Sequence, residues 1–134
     1  MHADTQTISI HSPAEAVYTF VADPANLPRW AIAFAKGVTA KDDVWLVTTS
    51  EGAEVSLRTV TDEALGVVDW HMVMPGGIES VARSRVVPRG EGSEFLFTQV
   101  QVPGVPDEMF DRLVQTVEHE LTTLKAVMEV GCPL

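Results

Sequence analysis

The sequence contains one cysteine, Cys132, in 134 residues, so no internal disulfide can brace the chain. Its four histidines, His2, His11, His71 and His119, show neither HxH nor HExxH spacing, and no second cysteine accompanies the first. A metal needs such clustered donors, so no metal site and no cofactor are expected. No GxSxG element is present, which removes the usual setting of an activated serine. Basic residues are scarce. Nine Lys and Arg stand against nineteen Asp and Glu, a formal charge of −10 that opposes binding to nucleic-acid phosphates or anionic membranes. No apolar run approaches the roughly 20 residues needed to cross a bilayer, so no membrane insertion is expected. The opening MHADTQTISI lacks the basic, apolar and small-residue zones of a signal peptide, and a cytoplasmic location is expected. There is no internal repeat, low-complexity tract or linker, so residues 1–134 read as one domain.

What is present is apolar and patterned: 46% of the residues are hydrophobic. Thr5 to His11 alternates polar and apolar residues, as a half-buried strand does. SPAEAVYTFVADPANLPRW, Ser12 to Trp30, then places two helix starts and three prolines in nineteen residues. Ser12 and Glu15 read as a capping box around Pro13, and Val17, Phe20 and Val21 form an apolar stripe. Asp23-Pro24 ends this helix and starts another, which Pro28 keeps short. Two short helices with a bend should carry Leu27, Trp30 and Phe34 inward.

From Gly37 to Val102 the segments are rich in Val, Thr, Phe and Trp. Turn signals fall at Lys41-Asp42-Asp43, Glu51-Gly52, Asp62-Glu63-Ala64, Pro75-Gly76-Gly77 and Gly90-Glu91-Gly92, the pattern of an antiparallel meander. Beyond VPGVP, a helix is predicted over 106–130, with a stop at Gly131. Its apolar stripe comprises Phe110, Leu113, Val114, Val117, Leu121, Leu124 and Met128, and His119 falls opposite. A meander with one apolar face and a helix with one apolar stripe bury both by wrapping the sheet around the helix. The fold class is therefore α+β: a curved antiparallel sheet around a long C-terminal helix, with two short helices closing one end.

The segments TISIHSPAEAVYTFVADPANLPRWA, PRGEGSEFLFTQV and FDRLVQTVEHELTTLKAVME resemble those of the START-like, or SRPBCC, superfamily. Within it they are most similar to the bacterial polyketide cyclase/dehydrase-like group, and the chaperone-activator-like group is also similar. The resemblance spans nearly the whole chain and implies the helix-grip fold. It does not fix a function, because members bind lipids, hormones or isoprenoids, cyclise polyketides or assist chaperones.

Strand parity suggests which residues face the helix. If the PGG turn pairs Met74 with Ile78, then Met72 meets Ser80, Trp70 meets Ala82 and Val68 meets Ser84. Extending this register adds Val55, Leu57, Thr59 and Thr61 on one side and Phe95, Phe97 and Gln99 on the other. The candidate ligand-binding residues are Trp30, Leu57, Thr59, Trp70, Met72, Ala82, Ser84, Phe95, Phe97, Gln99, Phe110, Val117 and Leu121. An apolar face with few polar groups suits a small, mainly hydrophobic molecule. The same residues would serve equally in a filled core.

His71 lies beside Asp69 and opposite Arg83 on the other face, where a solvated charge cluster is expected. Glu118 and Glu120 flank the helix stripe, where water is the usual environment; Glu120 is the one carboxylate placed so that it could reach inward, and a buried Glu120 would favour an enzyme. With no carboxylate or histidine assigned inward, the reading favours ligand binding and names no catalytic residue. The alternatives are a cyclase or dehydratase acting on an aromatic or polyketide-like substrate, and a chaperone-activator-like protein-interaction module. The sequence leaves the ligand, any protein partner and the choice between monomer and homodimer open.

Overall fold

The computed structural model describes residues 1–130; the expected helix stop at Gly131 and the lone Cys132 lie outside the described residues. Strand β1 (Ala3–Ile10) is followed by helix α1 (Ala14–Ala22), a 3-10 turn (Pro24–Asn26) and helix α2 (Leu27–Trp30). Strands β2 (Ala35–Lys41), β3 (Val44–Thr49), β4 (Glu54–Asp62), β5 (Val67–Val73), β6 (Glu79–Arg89) and β7 (Gly92–Val100) follow, and helix α3 (Asp107–Val130) comes last. The strands form one antiparallel, curved sheet in the order β1-β7-β6-β5-β4-β3-β2. The meander thus runs in sequence from β2 to β7, and β1 closes beside its last strand. This is the arrangement expected from the element order, and the helix-grip fold that the resemblance implies.

The register around the PGG turn is the one that parity predicts. Met74 N donates to Ile78 O at 2.7 Å, and Met72, Trp70 and Val68 face Ser80, Ala82 and Ser84. Leu57 and Thr59 continue the row opposite Met72 and Trp70, and Phe97 and Gln99 continue it opposite Ser84 and Ala82. From this concave face, Val55, Leu57, Trp70 and Phe95 join Val117, Leu121 and Leu124 of α3 in the core. Gln6 ties the edge strand to the helix, its Nε2 donating to Val114 O at 2.9 Å.

The start of α1 departs from the expected capping box. Pro13 takes the cap position with an extended ψ of 145°, and no side chain caps the helix. Ser12 is therefore one residue too early for that role, although it is buried. The second start follows expectation: Asp23 accepts the Ala25 N–H at 3.0 Å. Asn26 Nδ2 donates back to Phe20 O at 3.0 Å and fixes the bend. That bend delivers Leu27 and Trp30 into the core, with Trp30 only 3% exposed.

One glycine is obligatory. Gly66 has φ +70° and closes the β4–β5 turn, and a Cβ there would stand 2.2 Å from Val86 O. The same contact carries the Val86 N to Gly66 O hydrogen bond of 2.8 Å, which anchors the turn to β6. No described helix is long and apolar enough to cross a membrane.

Candidate ligand cavity

Sheet and helix do not close completely on one another. A cavity of about 580 Å³ lies between them, within the size range of small-molecule sites, roughly 300–1,000 Å³. Its origin is the pairing of large with small side chains along adjacent strands. Met72 and Trp70 of β5 stand opposite Ser80 and Ala82 of β6, and the small partners leave space that no other described residue fills.

Ten of the thirteen candidate residues line this cavity. Leu57, Trp70, Met72, Ala82, Phe97 and Gln99 form its sheet wall. Phe110, Val117 and Leu121 form the helix wall, and Trp30 closes the end built by α2. Val102 and Val105 bring the VPGVP loop onto the wall as well. Val100 and Leu113 line the cavity yet are 47% and 46% exposed, which marks where it meets the surface.

The other three candidates sit off the wall. Ser84 is buried and donates its hydroxyl to Val68 O at 2.6 Å, so its polarity is used within the sheet. Phe95 is 0% exposed beneath the wall, with Trp30 edge-on to its ring at 6.1 Å and 88°. Thr59 pairs with Trp70 but lies beyond the cavity's edge. On the outer face, Asp69 and Arg83 make the expected ion pair at 2.9 Å, and His71 lies between strand neighbours there, outside the cavity lining.

The aromatic wall is continuous. Trp30 and Trp70 have ring centroids 6.1 Å apart, and Trp70 and Phe97 are 5.5 Å apart, both pairs tilted. Three wall side chains also carry N–H donors without a partner among the described residues, namely Trp30 Nε1, Trp70 Nε1 and Gln99 Nε2. An unpartnered buried donor costs about 1–3 kcal/mol. These donors are covered by neighbouring atoms, so an acceptor reaches them only when the side chains turn.

Glu120 takes the inward of its two possible placements, against the usual preference of a stripe-edge carboxylate for water. It lines the cavity and is 8% exposed. One carboxyl oxygen, Oε2, accepts the Phe34 N–H at 3.1 Å. Burial pushes its pKa from the usual 4.5 to about 7, against the opposing pull of that hydrogen bond. The sequence held a signal for this placement. Position 120 is three residues after Val117 and four before Leu124, which puts it inside the stripe and not on its flank.

Gln101 is also buried, a placement that no local sequence pattern announces. Its Nε2 donates to Val105 O at 2.7 Å and to Asp107 Oδ1 at 2.8 Å, and its Oε1 accepts the His2 N–H at 2.9 Å. It therefore fixes the loop before α3 to the start of β1. Hydrogen bonds from Gln101 and then from His2 hold Asp107 below the usual carboxylate range.

The sequence matches the family described as polyketide cyclase/dehydrase and lipid transport over residues 1–129. The chain belongs to that family. No functionally curated protein matches it. Among solved structures, it is similar to a START superfamily protein from Mycobacterium smegmatis, with 18% identity, 96% and 98% of the two chains covered and a TM-score of 0.74. It is also similar to the Zhui aromatase/cyclase from Streptomyces sp. R1128, with 15% identity, coverage of 96% and 93% and a TM-score of 0.75. The di-domain aromatase/cyclase BexL of the BE-7585A biosynthetic pathway gives 24% identity and a TM-score of 0.77, with 99% of this chain covering 48% of that one. At these identities the likeness concerns the fold.

Proposed function

We propose that this family member binds a small, mainly hydrophobic molecule in the cavity between the sheet and α3. The observation that carries this reading is the cavity of about 580 Å³, walled by aromatic, aliphatic and methionine side chains with a few polar groups. Family membership supports it, since the family description joins cyclases and dehydrases with lipid transport. Trp30, Leu57, Trp70, Met72, Ala82, Phe97, Gln99, Phe110, Val117 and Leu121 are the proposed contacts. Ser84, Phe95 and Thr59 support that wall from behind or beside it.

Two neighbouring positions of opposite parity provide the test. Trp70 lines the cavity and His71 does not. Titration with Nile red, an uncharged lipophilic dye, should quench or shift the tryptophan fluorescence. Trp70→Ala should weaken dye binding about tenfold, or roughly 1.4 kcal/mol, whereas His71→Ala should leave it nearly unchanged. Absence of dye binding, or equal losses in the two variants, would overturn the proposal.

One observation favours a second reading, a cyclase- or dehydratase-type enzyme. Glu120 is a buried carboxyl on the cavity wall whose pKa near 7 suits proton transfer at neutral pH. Under this reading, Glu120→Gln would abolish turnover of a polyketide-like ketone while preserving its binding.

A further inference from the structure

The charges on the cavity wall are all of one sign. Glu120 on α3 and Glu51 in the β3–β4 turn both line it, and among the described residues no Lys, Arg or His does. Glu120 is buried, yet its identified partner is an uncharged one, the Phe34 amide. The side-chain ion pairs among the described residues, His2–Asp107, Arg83–Asp69, Arg89–Glu94 and Lys125–Glu129, all lie elsewhere. A carboxylate held away from water with no cation beside it is costly, because burial removes hydration that nothing replaces. A cation entering the cavity would supply the missing partner.

The aromatic wall has the same preference. Trp30, Phe34, Trp70 and Phe97 all line the cavity, and the faces of such rings carry negative potential that attracts ammonium groups. The formal charge of −10 for the whole chain adds a long-range field of the same sign. A carboxylate ligand would meet Glu120, the ring faces and the overall field with the wrong charge, and a neutral ligand would gain burial and hydrogen bonds from the Trp30, Trp70 or Gln99 donors without any charge pairing.

We infer that the cavity selects a lipophilic amine, with its ammonium group toward Glu120 and its apolar body against Trp70, Met72 and Phe97, over the matching alcohol or acid. This inference rests on the ligand-binding reading and sharpens it to a class of ligand. It also carries a pH dependence. Glu120 accepts the Phe34 N–H from the segment after α2 and shares the cavity wall with one other ionisable residue among the described ones, Glu51 of the β3–β4 turn; its chain neighbours on α3, Glu118 and His119, are exposed. Arg29 of α2 is not on the cavity wall; its guanidinium lies 5.0 Å over the Phe20 ring. Since burial raises the Glu120 pKa, amine affinity should increase between pH 5.5 and pH 8 as that proton leaves, while alcohol affinity stays level.

The test uses three probes with one ring system: 2-(1-naphthyl)ethylamine, 2-(1-naphthyl)ethanol and 1-naphthylacetic acid, titrated calorimetrically into the intact chain at pH 8. The expected order is amine, alcohol, acid, with the amine about tenfold or more tighter than the alcohol. Glu120→Gln should cut the amine's advantage to the part that the ring faces and the overall charge supply, and leave alcohol binding in place. Alcohol binding as tight as amine binding, or acid binding tightest, would overturn the inference while the ligand-binding reading stands. Binding of none of the three would overturn both. The probe comparison on the unmodified chain needs no variant, so it decides the matter even if Glu120→Gln folds poorly.

Discussion

Glu120→Gln is expected to stabilise the protein at pH 8 and to leave its stability nearly unchanged at pH 4. The folded chain holds the Glu120 proton up to about pH 7, whereas an unfolded chain releases it near 4.5. Between these values the native state binds more protons than the unfolded state, so this residue's contribution to stability falls as pH rises. The loss is complete above about 7 and absent below 4.5. The gap between 4.5 and about 7 corresponds to roughly 3 kcal/mol. A glutamine keeps an oxygen to accept the Phe34 N–H and never ionises, so the variant escapes the penalty. Urea unfolding of both proteins at pH 4 and pH 8 measures this directly. Parallel pH profiles would show that the Glu120 side chain is hydrated in the native state.

Phe95→Ala is expected to be among the most destabilising single changes, at about 3–5 kcal/mol. Its ring is fully enclosed on β7, between Ile8 of β1 and Val86 of β6 in register. It meets Trp30 edge-on and lies 6.4 Å from Phe97. Truncation would create a void directly behind an existing cavity. Trp30 and Phe97 would lose the support that holds the aromatic wall in place. The urea midpoint should fall sharply with little change in the slope of the transition. A loss under about 1 kcal/mol would mean that the wall refills the space.

These two residues show how differently sequence and structure contributed. Phe95 follows from alternation: once the PGG turn sets the register of β5 and β6, parity carries inward-facing positions across the sheet to β7. Glu120 did not follow from its neighbours' character. Charge suggested water, while its spacing from Val117 and Leu124 placed it on the buried stripe. The partner that accommodates it, Phe34, is 86 positions away in the chain. Gln101 was missed for the same reason, because its role depends on His2, at the opposite end of the sequence. The Ser12 cap failed on a local detail, the extended backbone of Pro13.

By itself the sequence determined the order of the elements, the hairpin turns, the inward row of β5 and β6 and the outward placement of His71. Each of these depends on periods of two or about 3.6 residues and on turn chemistry, which a few neighbouring residues express. Only the tertiary structure decided that the space between sheet and helix is a cavity and not a filled core, and that a carboxyl group lies on its wall. Empty volume is the difference between the space that a curved sheet and a helix enclose and the side chains that project into it, so it belongs to no single segment. A carboxyl's protonation depends on how completely distant parts of the chain exclude water from it, and that too arises only when α3 settles against the segment after α2.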